Sequence, residues 1–182
     1  YIYQTTQKYM PEMKPIMIYR LDRFGRGGHH RPFNDAGFAG IRIMEAHENY
    51  DQQHQDLRIE NGINYGDRLE HVDMGYVKKL TAVNAINLAQ LADAPSAPQT
   101  VAISGMVAPS TQLSWTAVDD AVAYRVYWRD TTQPHWQYSR IVSKGTELTL
   151  EGIVIDNFLF GVASVGPNGH ESLIQFPNKV NR

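Results

Sequence analysis

Cysteine is absent from the 182 residues, which excludes disulfides and thiolate metal sites and leaves the redox compartment open. A dominant charge is absent too: 17 lysines and arginines face 19 aspartates and glutamates. That balance gives no electrostatic reason to expect nucleic acid or an anionic membrane as a partner. No apolar run approaches the roughly 20 residues of a membrane span, and no signal-peptide pattern is visible. The chain opens on Tyr1-Ile2-Tyr3 and not on methionine, so it reads as a piece of something longer. What is there is ordinary for a globular protein: 42% hydrophobic and 20% charged residues, enough to bury a core in one medium domain or one and a half small ones.

The densest chemistry lies between Glu45 and Asp56, where carboxylates, imidazoles and Tyr50 crowd together directly after the apolar run 39–44. That run reads as a buried strand, and polar groups at the end of a buried strand are where α/β proteins keep their sites. A histidine with a carboxylate two residues on suits zinc with an oriented second nitrogen; the bland alternative is a solvated polar loop. Ile16-Met17-Ile18-Tyr19-Arg20 reads as an earlier strand, followed by a glycine-rich turn from Arg23 to Phe33. Such a turn can cradle phosphate, but this one matches neither nucleotide fingerprint. Residues 33–37 then read as a short helix closed by glycine. If the two strands pair in parallel, a right-handed crossover brings both histidine-bearing loops to one side.

Residues 57–72, with Asn61-Gly62, read as a polar excursion over the surface. Val77, Leu80, Val83, Ile86, Leu88 and Leu91 form the stripe of a long helix, with Asp73 as its N-cap. With only two strands before it, this part looks like the end of a larger sandwich. Residues 94–99 are a linker by composition. Beyond them the pattern changes to short alternating strands at 101–103, 111–115, 123–129, 136–141, 147–150, 157–165 and near 173–176, an all-β sandwich. The fold class is thus a partial α/β part joined to an all-β sandwich, with domains at 1–93 and 100–182.

Residues 99–182 resemble a fibronectin type III module: Leu113-Ser114-Trp115 matches the strand with the core tryptophan, Tyr124 to Trp128 the third strand, and Asn157 to Val162 the sixth. Phe158 stands where a corner tyrosine is usual. Residues 16–92 resemble the C-terminal part of the catalytic domain of di-zinc exopeptidases, the family of bacterial leucyl aminopeptidases and glutamate carboxypeptidase. The motifs are Arg26-Gly27-Gly28-His29-His30-Arg31-Pro32-Phe33, then Glu48-Asn49-Tyr50 through His54-Gln55-Asp56, then Val72-Asp73 before the final helix.

The resemblance implies a zinc-dependent exopeptidase of aminopeptidase type that hydrolyses peptides, from a secreted or periplasmic setting. It implies two zinc ions per complete catalytic domain, with His54 as one ligand and the others in a missing N-terminal half, since the chain has no Glu-Glu pair. Tyr50 is the candidate for oxyanion or substrate contact, with packing under the loop as the alternative. Arg42 reads a substrate carboxylate or forms a structural salt bridge, and His30 orders its loop. His47 and His71 are surface residues, and His135 and His170 need no function. The chain alone should be inactive. Gln52 and His29 depart from the family pattern, which keeps a metal-free homologue open. A binding or spacer unit using Trp128, Trp136 and Tyr138 is the reading from another class.

Overall fold

The computed structural model describes residues 1–20 and 27–181; the first part of the glycine-rich turn, 23–26, lies outside them. In chain order the helices are α1 (Ile2–Tyr9), α2 (Arg31–Asp35) and α3 (Met74–Ala92). The strands are β1 (Arg58–Glu60), β2 (Ile63–Tyr65), β3 (Val101–Ser104), β4 (Thr111–Trp115), β5 (Ala123–Asp130), β6 (Tyr138–Val142), β7 (Glu147–Leu150), β8 (Phe158–Val165) and β9 (Lys179–Val180). Two compact units result, one of Pro15–Leu80 and one of Tyr1–Lys14 with Thr81–Arg182.

In Pro15–Leu80 the two expected strands do not form: 16–20 and 39–44 have no ladder partner among the described residues. A strand is defined by hydrogen bonds to another segment, so an apolar run supplies only half of one. The parallel pair and α/β layering expected here are therefore not seen. The sheet that does form is the antiparallel β1–β2 hairpin, with Glu60 opposite Ile63. Asn61 at φ 50° and Gly62 at φ 78° make its turn, the positive-φ pair that two-residue hairpins require. Helix α2 begins two residues earlier than expected because Pro32 suits a first helical turn. Its end is tied by the Asn34 side-chain amide, which donates to the carbonyls of Phe38 at 3.0 Å and Gly40 at 3.1 Å.

Asp73 caps α3 as expected: its Oδ1 accepts the Tyr76 N–H at 2.9 Å and its carbonyl accepts the Val77 N–H at 2.9 Å. The apolar stripe is covered only in part. Val83 and Asn87 are buried, while Leu88 stays 68% exposed.

The other unit holds a two-sheet sandwich, ordered β7-β4-β3-β9 and β6-β5-β8. Alternation decides its core: Thr111, Leu113 and Trp115 of β4 point inward, Gln112 and Ser114 do not. Leu113 and Trp115 meet Val101, Tyr124, Val126, Leu150, Phe160 and Val162 in one cluster. With Phe158 at the corner, the Thr111 hydroxyl donates to the Ile153 carbonyl at 2.7 Å and ties β4 to that turn. The Tyr124 hydroxyl accepts the Val118 N–H at 2.8 Å. The last strand differs from expectation. Segment 173–176 makes a single bridge, Gln175 to Val162, and β9 pairs in parallel with β3 of the opposite sheet. Pro177 lies between them, and its missing N–H breaks a ladder at the point where the chain changes sheets.

Both ends of the linker are tied to the sandwich unit: at its far end the Asn178 amide donates to the Gln99 carbonyl at 2.8 Å, and Asp93 is held just before its start. The Asn168 amide donates to the Asp93 carboxylate at 2.9 Å, and His170 lies 2.7 Å from the same carboxylate. His170, expected to have no role, thus helps to hold the residue that leads out of α3.

Candidate functional site

Both histidine-bearing loops of Pro15–Leu80 line one recess of about 330 Å³. Gly27, Gly28, His29 and His30 come from the first loop, Ile41 and Arg42 from the segment after α2, and Gln53 and His54 from the second. The close approach depends on small residues: a Cβ on Gly28 would come 2.8 Å from the His30 ring and 3.4 Å from the Arg42 side chain. Loop convergence was expected from a parallel strand pair, yet it occurs without one. Arg42 bonds Glu48 at 3.3 Å, with the Glu48 side chain only 9% exposed. This is the structural salt bridge weighed above, and Arg42 still lines the recess. His30 lies half-buried against its own loop. Tyr50 is 56% exposed and is not among the recess-lining residues.

His54 is exposed and adopts φ 56°, left-handed backbone that is uncommon for any residue but glycine. Its loop is ordered by hydrogen bonds the sequence reading missed. The Asp51 N–H donates to the Asn49 side-chain oxygen at 3.0 Å, and the Gly66 N–H donates to the Asp51 carbonyl at 2.9 Å. The Asn-Gly pair flanked by Ile59 and Ile63 was the available signal for the hairpin that carries Gly66.

As donors, the imidazoles of the recess fit zinc, which takes neutral ring nitrogen. The set does not close: among the described residues no three histidine, aspartate or glutamate side chains gather as a metal site. Zinc bound here would need carboxylate or imidazole donors beyond those described.

A second, smaller recess of about 90 Å³ lies in the sandwich unit and is lined in part by Tyr127, Glu171 and Thr5. The Tyr127 hydroxyl donates to Glu171 at 2.5 Å and the Arg125 guanidinium donates to the same carboxylate at 2.8 Å. Burial pushes the Tyr127 phenol far up, and the Glu171 charge adds to the shift, so the phenol stays a donor. Trp136 lies between Tyr127 at 5.9 Å and Phe176 at 5.4 Å. Trp128 stacks on Tyr138 at 5.7 Å. Of these aromatics Tyr138, at 48%, and Phe176, at 47%, are the exposed ones.

The molecule is, then, a β-sandwich unit joined through α3 to a loop-rich unit with a histidine-lined recess. Its sequence is similar to a probable zinc metalloprotease of Leptosphaeria maculans, 46% identical over 168 residues, which covers 91% of this chain and 39% of that protein. A probable zinc metalloprotease of Phaeosphaeria nodorum is 38% identical over 97% of this chain and 37% of its own length. One of Pyrenophora tritici-repentis is 37% identical over 97% of this chain and 42% of its own. The chain spans about two fifths of the length of these relatives. No protein-family profile matches it. Among solved structures, an Fn3-like protein from Clostridium thermocellum aligns at 22% identity over 45% of this chain and 86% of its own, with a TM-score of 0.39. Titin domains A168–A170 align at 22% identity over 49% of this chain and 31% of theirs, with a TM-score of 0.40.

Proposed function

We propose that the chain is the C-terminal portion of a zinc-dependent exopeptidase of aminopeptidase type, with residues 1–93 belonging to the catalytic domain and 100–182 forming an accessory module of fibronectin type III kind. The observation that carries this reading is the recess shared by His29, His30, Arg42 and His54, inside a chain matched over 91–97% of its length by relatives named probable zinc metalloproteases. Secretion is proposed on the family resemblance stated above.

His54 is the metal ligand in this proposal, through its neutral imidazole. Zinc, when bound, lowers the pKa of a water and polarises the scissile carbonyl. Arg42, held by Glu48, presents positive charge at the recess to a carboxylate of the peptide. Tyr50 offers a hydroxyl to the oxyanion or the substrate backbone from the loop surface, and His30 fills the space between the two glycine-containing segments. The remaining ligands and the second zinc site belong to the part of the enzyme that precedes this segment. Support for such a partner comes from unburied apolar surface: Ile16, Ile18, Tyr19, Phe38 and Ile41 are each 59–70% exposed. Runs of this kind mark surfaces made to be covered.

The test is zinc content and hydrolysis of aminoacyl-nitroanilides by the full-length protein, its His54→Ala variant and residues 1–182 alone. The expected result is loss of metal and of most activity in the variant, with residues 1–182 inactive. Full metal and activity in His54→Ala would sink the ligand assignment. A full-length protein that retains no zinc would favour a metal-free homologue or a binding module displaying Tyr138.

A further inference from the structure

We infer that the β1–β2 hairpin is a brace that positions His54, and that Gly66, at its base, is the positioning residue. The inference rests on the reading of His54 as a metal ligand. Among the described non-glycine residues only His54 and Asn61 have positive φ. Asn61 is explained by its turn with Gly62, whereas no such turn pair accounts for His54. Unfavourable backbone of this kind persists only where the surroundings over-determine it. The surroundings here are ties made by three residues, Asn49, Gly66 and Arg58, spread along the loop.

Asn49 closes the start of the loop, its side-chain oxygen accepting the Asp51 N–H at 3.0 Å and its carbonyl accepting the Gln52 N–H at 3.2 Å. Gly66 holds the middle through its N–H on the Asp51 carbonyl. Arg58 of β1 holds the far end by donating to the Gln55 side chain at 3.1 Å while lying 3.9 Å over the Tyr65 ring of β2. His54 sits between these ties.

Gly66 is also the one buried residue described in Pro15–Leu80. At φ 99°, a Cβ there would come 2.6 Å from the Leu57 side chain and 3.1 Å from the Gln55 carbonyl. Any side chain at 66 therefore pushes directly on Gln55 and Leu57, one and three residues after His54. Gly62 provides an internal control. It shares the hairpin and a positive φ of 78°, but a Cβ there meets nothing within 4 Å.

The experiment measures zinc retention by the full-length protein against a graded chelator, and the visible absorption of the cobalt-substituted form, for Gly66→Ala, Gly62→Ala, Asn49→Ala and His54→Ala. Gly66→Ala is expected to weaken metal binding about tenfold, the usual effect of disturbing a residue that orients a ligand, and to shift the cobalt bands. Gly62→Ala should change neither by more than about twofold. Adding Leu57→Ala to Gly66→Ala should restore part of the affinity. Equal behaviour of the two glycine variants would overturn the brace. Should Gly66→Ala fail to fold, Asn49→Ala carries the same expectation, and unchanged cobalt bands in it would equally overturn the proposal. If His54→Ala keeps full metal, the ligand reading itself has failed and the brace falls with it; if His54→Ala loses metal while Gly66→Ala matches Gly62→Ala, only the brace has failed.

Discussion

Two parts of one chain treat similar residues in opposite ways. In the sandwich unit, Val101, Leu113, Val126 and Val162 are fully buried. In Pro15–Leu80 no hydrophobic side chain is buried among the described residues, and Ile18, Phe38, Ile59 and Leu69 are 64–74% exposed. The sandwich brings its own second surface, because two alternating sheets face each other within some 80 residues of one type of pattern. The other unit has apolar segments and, among the described residues, no facing layer. Burial is a property of pairs of surfaces, and only one of these units contains both members.

The contrast can be broken most strongly in the core. Leu113→Ala should destabilise the sandwich by about 2–5 kcal/mol, the range for buried leucine truncation, followed by Trp115 fluorescence in urea. Ile59→Ala, on the exposed hairpin, should stay within about 0.5 kcal/mol. A large loss from Ile59 would show that the hairpin packs on something, and would erase the difference between the units.

Next in size is Gly161 of β8, whose added Cβ would drive into the Ile174 side chain and lie 3.3 Å from Trp136. Gly161→Ala should cost about 1–3 kcal/mol as overpacking, measured by thermal unfolding, and Ile174→Ala in the same chain should relieve it. The same substitution at Gly37 or Gly62, where no atom lies within 4 Å, should show only the backbone cost of positive φ.

Asp73→Ala removes the cap of the helix that runs through both units and should cost about 1 kcal/mol. Far-ultraviolet circular dichroism on thermal unfolding will detect it, and Asp73→Asn should restore most of it.

The smallest effect is electrostatic. Asp93 is held below the usual carboxylate range, first by the Asn168 amide and further by the nearby His170. A lowered carboxylate pKa contributes stability that is present above the ordinary range and is lost as pH falls through the folded value. Asn168→Ala should therefore raise the Asp93 titration toward ordinary values, as carbon-13 NMR of its carboxyl would show, with little effect near neutrality. An unchanged titration would mean that the amide is not what holds it.

The sandwich was largely legible because its signals are local. Thr111-Gln112-Leu113-Ser114-Trp115 alternates by itself, and the strand bounds of β4 and β7 follow from that period and the turns around them. Asp73 was legible for the same reason: a cap bonds to an amide three residues away. The candidate site was legible as a meeting of two loops, and the salt bridge of Arg42 was one of its two readings. Gly66, Asn49 and the φ of His54 were not, since they depend on which backbone atoms fold back onto the loop.

By itself the sequence determined the inward faces of the sandwich strands, the start of α3 and the residue types that gather at the recess, all consequences of spacing along one chain. Tertiary structure alone decided that 16–20 and 39–44 find no ladder partner among the described residues, that β9 and not 173–176 completes a sheet, and that a hairpin props the His54 loop. Each of these turns on a hydrogen-bond partner distant in sequence, and no local pattern encodes where that partner will be.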